Sequence, residues 1–313
     1  MATIGIDIGG TKVLGVRVEG HDVVERRVGL VNRQPPDVAA FEMIESLWTD
    51  DVDTAGVGLA GLVRWPEGVF AWGPHVAGTD IDVRAVLEEK LEIPVVVDND
   101  ANGAAWAELT VGAAQGYDNF LMVTLGTGIG GSVVIDGQIY RGGSFAGEWG
   151  HMPYDPGGVL CDCGKKGCWE TVASGPALVR MAREMLSINP DSSFANRLES
   201  VELTGEAITN AADAGDEIAR GLVAQVGAEF GRGLCGLIAA FDPDLVVVGG
   251  GLGSIGESIV GPARRVASDN LHGRSHRLLP PILVAALGPD AGAVGSAMLA
   301  QSALDGEIFR ENT

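Results

Sequence analysis

Thr3–Gly20 reads TIGIDIGGTKVLGVRVEG. Apolar runs on both sides of the paired glycines predict a strand, a tight Gly-Gly turn and a second strand. The same pattern returns at Asn119–Tyr140, NFLMVTLGTGIGGSVVIDGQIY. Two such openings, IGIDIGGTKV at Ile4–Val13 and VTLGTGIGGSV at Val123–Val133, predict two α/β halves of similar design with a cleft between them. Length agrees, because 313 residues exceed the usual size of a single core.

Between and beyond the openings the apolar spacing sketches the remaining elements. His21–Val31 is a third strand candidate. Pro36–Trp48 carries helix spacing in Val38, Phe41, Ile44 and Leu47. Thr54–Val63 is a buried strand running into a turn, Asp82–Ile93 a short helix, and Pro94–Asp100 a strand ending in polar residues. Ala101–Ala113 begins a helix. Ser174–Leu186 is helical, with Pro176 in its first turn. Asp191–Thr204 is polar and irregular. Gly215–Phe241 is a long amphipathic helix, Asp242–Gly251 is a buried strand followed by a helix, Pro280–Leu287 is the last strand, and Ala291–Leu304 the closing helix.

Composition narrows the function classes. Hydrophobic residues make up 46% and charged residues 20%, a globular balance. The net charge of −21 disfavours nucleic acid and anionic membrane surfaces as partners. No apolar run is expected to span a membrane, and MATIGIDIGG lacks the basic and apolar regions of a secretion signal, so a cytoplasmic protein is expected. Of four cysteines, Cys161, Cys163 and Cys168 cluster near His151 in GEWGHMPYDPGGVLCDCGKKGCWE (Gly147–Glu170), which suggests a metal rather than a disulfide framework. Cys235 falls in an apolar helical stretch and reads as a buried small hydrophobe.

The glycine turns suggest phosphate binding. Gly9, Gly10, Thr11 and Lys12 form the first, where backbone N–H groups can cradle an anion. Asp7, just before it, is suited to a magnesium ion held through water. The bland alternative is a hairpin that needs positive φ. GTGIGG at Gly126–Gly131 and GLGSIG at Gly251–Gly256 match G-x-G-x-x-G in letters. The first is followed by a strand. The second sits between strand and helix but has no acid at a strand end about 20 residues on, as a dinucleotide fold requires. Three glycine turns fit a nucleotide cleft with two loops on the phosphates and one behind the adenosine.

Val97–Glu108, VDNDANGAAWAE, is a second dense stretch. Asp98, Asn99 and Asp100 stand where a strand meets a helix. A helix cap accounts for one of the three. A carboxylate here can accept a hydroxyl proton during phosphoryl transfer, and Asn99 offers a donor and an acceptor to a sugar hydroxyl.

Together IGIDIGGTK, VDNDANGAAWAE, TLGTGIGG, the Gly147–Glu170 stretch and LVVVGGG resemble the ROK family of bacterial sugar kinases and repressors, and among them the glucokinases of high-GC Gram-positive bacteria. The segments follow the family's order along nearly the whole chain. The resemblance implies an actin-like ATPase (ribonuclease H-like) α/β fold. One lobe would be 1–115, joined by the C-terminal helix 290–313, and the other 116–289 with a zinc loop at 151–168. It implies ATP-dependent phosphorylation of glucose at the 6-hydroxyl. Kinases for N-acetylmannosamine, N-acetylglucosamine or fructose and a non-catalytic sugar sensor are the alternatives.

By the same resemblance Asp100 is the catalytic base. Asn99, Glu148, His151 and Glu170 contact the sugar, beside Ala60 and Gly61, which stand where Pro-Gly is common. Asp98 stands where Glu is common. His151, Cys161, Cys163 and Cys168 hold a structural zinc ion. Gly9–Lys12 and Gly126, Thr127 and Gly128 bind phosphates, and Gly249, Gly250 and Gly251 back the adenosine. Repressor members carry a helix-turn-helix before the first glycine loop, whereas here that loop begins at once. The cysteine loop disfavours polyphosphate as donor. A dimer or tetramer is expected from the family.

Overall fold

The computed structural model describes residues 2–31, 33–198 and 201–306. The opening hairpin is β1 (Ala2–Ile8) and β2 (Lys12–Glu19), and β3 (Asp22–Leu30) continues the meander. Helix α1 (Pro36–Leu47) leads to β4 (Val52–Leu59), and three short strands follow: β5 (Leu62–Arg64), β6 (Val69–Trp72) and β7 (Ile81–Asp82). Then come α2 (Val83–Leu91), β8 (Val95–Asn99) and α3 (Asp100–Val111). The second opening is β9 (Phe120–Leu125), β10 (Ile129–Ile135) and β11 (Gln138–Tyr140). Four helices follow: α4 (Gly175–Ile188), α5 (Ser193–Leu198), α6 (Gly205–Asp213) and α7 (Glu217–Phe241). The chain closes with β12 (Leu245–Gly249), α8 (Gly250–Gly253), α9 (Glu257–Asn270), β13 (Ile282–Val284) and α10 (Ala291–Leu304). Residues 307–313 of the expected helix 290–313 lie outside the described residues.

Two five-stranded sheets have the orders β3-β2-β1-β4-β8 and β11-β10-β9-β12-β13. Counted within each sheet, both orders are 3-2-1-4-5, so the similarity of the two opening motifs extends to whole sheets. By internal contacts the chain divides into two units. The first holds residues up to 122, 132–147 and those from 286; the second holds 123–131 and 148–285.

In the first unit, period-2 alternation sorts β1 between two cores. Ile4, Ile6 and Ile8 pack with Met43, Ile44 and Leu47 of α1 and with Val57 and Val97. The opposite face meets α10, where a Cβ on Gly5 would lie 2.0 Å from the Ala293 carbonyl oxygen. Glycine at this position therefore lets the helix lie directly on the sheet. Asp7 is two residues further along that same face, so its carboxylate lies against Gly292 in the first turn of α10.

In the second unit, α7 is capped by Asp216, whose side chain accepts from the Ile218 and Ala219 N–H groups. α7 is 25 residues long, and an 18-residue window of it reaches a mean hydropathy of 1.2, so by length and composition alone it could cross a membrane. One face of it, including Leu222, Val226, Phe230, Leu234 and Ile238, is buried in this unit, with α4, α6 and α9 packed on it. Two expectations need correction. The polar stretch Asp191–Thr204 contains α5, and Cys235 is only half-buried on α7.

Candidate active site

In the first unit the site grows from the ends of parallel strands. β1, β4 and β8 run side by side, pairing Asp7 with Gly58 and Gly58 with Asp98. β8 ends where α3 begins, and Asn99 is the cap, its Oδ1 accepting from Ala101 N at 2.8 Å. The Asn99 Nδ2 donates to the Gly61 carbonyl at 3.1 Å, so the side chain joins the helix start to the turn after β4. Asp100 is the first residue of α3, and its own Oδ1 also accepts from Ala101 N at 2.9 Å. Gly58 makes room for it, since a Cβ there would lie 3.2 Å from the Asp100 Cα.

Asp98 does a different job. Its carboxylate is buried, and Oδ1 accepts from Asn99 N at 2.7 Å and from Asn102 Nδ2 at 2.8 Å. Oδ2 faces Arg141, with Nε at 2.9 Å and Nη2 at 2.7 Å. No sequence signal pointed to Arg141, which follows β11 and is 43 residues away.

The acids form an electrostatic group. Burial pushes Asp7 up from 3.8 to about 7, and the neighbouring Asp100 carboxylate adds to the rise. Asp100 is raised as well, by burial above all, with a further contribution from Asp98. Two N–H groups at the helix start act in the opposite direction. Two partly buried carboxylates beside one another are suited to a proton acceptor and to a hard cation.

The glycine turn between β1 and β2 is closed by Gly9 N donating to the Lys12 carbonyl at 3.0 Å. Neither Gly9 nor Gly10 has positive φ. Gly10 is required by a neighbour instead, because a Cβ there would lie 2.4 Å from the His75 Cβ. Thr11 and Lys12 are exposed beside it.

The second unit assembles the other candidates. Gly126 N donates to the Gly128 carbonyl at 3.0 Å, closing the turn that includes Thr127. Gly250, at φ 79°, lies on the Leu125 backbone, where a Cβ would come within 2.6 Å of its oxygen. Gly249, Gly250 and Gly251 therefore stand directly beside the Gly126–Gly128 turn. The start of α4 joins them, with Gly175 N donating to the Gly126 carbonyl at 2.8 Å.

The cysteine stretch abuts this same turn. The Sγ atoms of Cys161, Cys163 and Cys168 and a ring nitrogen of His151 all lie within 4.8 Å of one another. Cys161 Sγ is 3.6 Å from His151 Nδ1, and Cys163 Sγ is 3.6 Å from Cys168 Sγ. Zn–S bonds of about 2.3 Å in a tetrahedron put sulfurs roughly 3.8 Å apart, so the donor set fits that ion in number, kind and spacing. With Nδ1 turned to the cluster, His151 keeps Nε2 for another partner. Burial, followed by the Glu170 carboxylate, pushes the Cys161 thiol up.

Glu170 bridges the cluster and the glycine turn. Its Oε1 is 3.0 Å from Cys161 Sγ and 3.3 Å from His151 Nδ1, while Oε2 accepts from Ile129 N at 3.4 Å. Gly128 has to be glycine for this, since a Cβ would sit 2.6 Å from Oε2. Glu148 precedes the short helical turn Trp149–His151, and its carbonyl accepts from His151 N.

The loop has more support than its polar composition implies. Trp169 is fully buried, stacked on Phe230 of α7 at 5.6 Å, with Nε1 donating to the Glu229 carbonyl at 3.1 Å. Tyr154 donates to the Glu229 carboxylate at 2.7 Å, and Trp149 lies on Gly131.

Two sheets of one strand order, each opened by a strand–glycine turn–strand hairpin, with a carboxylate at a parallel strand end, define an actin-like ATPase fold. The ROK family model matches residues 3–303, and the chain belongs to that family. It is 34% identical over 310 residues to a glucokinase of Streptomyces coelicolor, covering 96% of this chain and 97% of that protein. Among solved structures, it is similar to a ROK family glucokinase from Streptomyces griseus in complex with glucose and AMPPNP. There the TM-score is 0.89 and the identity 35%, over 96% of this chain and 100% of that one. A ROK hexokinase from Thermus thermophilus superposes with TM-score 0.79 at 32% identity, over 98% and 100%.

Proposed function

We infer that this chain is a glucokinase, transferring the γ-phosphoryl group of ATP to the 6-hydroxyl of glucose to give glucose 6-phosphate and ADP. Near full-length likeness to glucokinases supports the reaction class. The observation that carries the mechanism is Asp100, a partly buried carboxylate at the start of α3, next to the end of β8, whose pKa is raised by desolvation. Asp100 accepts the proton of the 6-hydroxyl as its oxygen forms the new bond to the γ-phosphorus. The bond from phosphorus to the bridging oxygen breaks, and ADP leaves with that electron pair.

The remaining roles follow from residue chemistry. Asn99 has one free amide hydrogen and one free lone pair for sugar hydroxyls after its bonds to Gly61 and Ala101. Gly61, with Ala60 before it, shapes the floor beside Asn99. Glu148, His151 through Nε2, and Glu170 are the other hydroxyl partners. The N–H groups of Gly9–Lys12 and Gly126–Gly128 bind phosphate oxygens, and Gly249–Gly251 line the adenosine side. Asp7 would hold magnesium, which when bound offsets the charge of the phosphates. His151, Cys161, Cys163 and Cys168 would hold zinc, which when bound fixes the loop between Glu148 and Glu170. Free thiols in such a cluster belong in a reducing compartment, so we place the enzyme in the cytoplasm.

ADP release measured across glucose, mannose, fructose, N-acetylglucosamine and N-acetylmannosamine tests the assignment. Glucose should give the highest kcat/KM. A preference of tenfold or more for an N-acetylated sugar would overturn the substrate, and no release with any hexose would overturn the reaction.

A further inference from the structure

Arg141 stands outside every motif of the sequence, yet it is tied to the site. Its guanidinium makes two approaches to the Asp98 Oδ2, at 2.9 and 2.7 Å. Its flat face lies over the Trp65 ring, 3.8 Å from the centroid. Trp65 is fastened in turn, because its N–H donates to Ser144 Oγ at 3.2 Å and its carbonyl accepts from that hydroxyl at 3.4 Å. Ser144 adopts φ 99°, a value that side-chain-bearing residues rarely take. Arg141 and Asp98 are both largely buried, at 11% and 5% side-chain exposure, so the pair is shielded from salt and water.

The other oxygen of Asp98 accepts from Asn99 N and Asn102 Nδ2, so this carboxylate grips the strand end and the first turn of the helix together. We propose that Arg141 is a positioning residue for phosphoryl transfer: by holding Asp98 it sets the turn that carries Asn99 and Asp100. The proposal rests on Asp100 being the base. A lysine cannot replace Arg141 fully, because an ammonium lacks both the fork and the flat face used here.

The test compares Arg141→Gln, Arg141→Lys, Arg141→Gln/Asp98→Asn and Asp100→Asn with wild type. Each is assayed at a temperature well below its own melting midpoint, so that only folded enzyme is counted. Arg141→Gln should lower kcat about 10- to 100-fold and raise the glucose KM, because small misplacements of an oriented site are costly. The nucleotide KM should stay within about twofold, since the first unit's glycine turn is untouched. Arg141→Lys should fold and show the same split in weaker form, which supplies the answer should Arg141→Gln not fold. The double variant should regain part of the lost kcat, because the side-chain amide introduced by Asp98→Asn can still accept from Asn99 N with no unpaired charge buried beside it. Wild-type kcat and glucose KM in a folded Arg141→Lys or Arg141→Gln would overturn the proposal, leaving Arg141 a role in stability alone. If Asp100→Asn is impaired in that case, the base assignment survives. Near-wild-type turnover by Asp100→Asn would instead overturn the base assignment, whatever the arginine variants do.

Discussion

Gly233→Ala on α7 sets two effects of opposite sign against each other. Glycine inside a helix is worse than alanine by about 0.5–1 kcal/mol, so propensity alone predicts a gain in stability. Packing predicts a loss. A Cβ at Gly233 would lie 2.0 Å from Trp169 Cε2 and 2.4 Å from its Nε1. Carbon atoms settle near 3.5 Å, so the ring or the helix must yield by about 1.5 Å. The ring has little room to retreat, being stacked on Phe230 and bonded to the Glu229 carbonyl. Overpacking of this kind costs about 1–3 kcal/mol, which set against the propensity gain leaves a net loss of about 0–2.5 kcal/mol, centred near 1. Gly221 and Gly236 on the same helix serve as controls, because a methyl group at either would meet nothing within 4 Å. Their alanine variants should gain about 0.5–1 kcal/mol. Glu170 follows Trp169 directly, so Gly233→Ala should also lower kcat/KM for glucose, by about 100-fold if the carboxylate moves by roughly 1 Å. Urea denaturation of the three variants, with glucose kinetics, decides the matter. A Gly233→Ala protein as stable as Gly236→Ala, with normal glucose kinetics, would refute the packing account of Trp169.

Other perturbations read out different parts of the site. Asp7 has its folded pKa raised, to about 7, so below 3.8 it is neutral in both states and costs nothing, and the cost grows as pH rises from about 4 to 7. Asp7→Asn should therefore gain stability over wild type by about 1–4 kcal/mol at pH 8 and little at pH 4, measured by urea denaturation in metal-free buffer. It should also raise the magnesium requirement of the reaction while glucose affinity stays near normal. Cys163→Ala leaves three ligands; elemental analysis should find one zinc per wild-type chain and substantially less in the variant, with weaker glucose binding by calorimetry. Full activity in metal-free wild type would contradict this. Glu108→Gln should cost about 2–4 kcal/mol without changing kcat per folded molecule. Its buried carboxylate accepts from Ala113 N at 2.7 Å, Ala286 N at 3.0 Å and Leu287 N at 2.9 Å, and an amide would turn a donor against one of them.

What the sequence disclosed was whatever is local in the chain. The two glycine turns, the acidic strand end at Asp98–Asp100 and the cysteine cluster each fit within a short span, and each forms where expected. The residues that hold them were illegible because their partners are distant. Arg141 reaches Asp98 across 43 positions, and Glu108 reaches Leu287 across 179. Neither pairing leaves a period or a motif. Gly10 looked like a turn glycine, but its constraint comes from His75, which no local rule brings near. The strands β5 to β7 have only two to four residues each, too few for alternation to emerge. Helix α6 was hidden by polar neighbours, although Thr204 caps it by accepting from Ala207 N.

The central claim is that Asp100 takes the proton of the glucose 6-hydroxyl as the phosphoryl group moves. Single-turnover formation of glucose 6-phosphate, followed by rapid quench with glucose and ATP saturating, isolates that step from binding and release. Asp100→Asn should bind glucose with near-normal affinity and form product about 10²–10⁴ times more slowly than wild type. A single-turnover rate within a few-fold of wild type would contradict the account and leave Asp100 as no more than the first residue of α3.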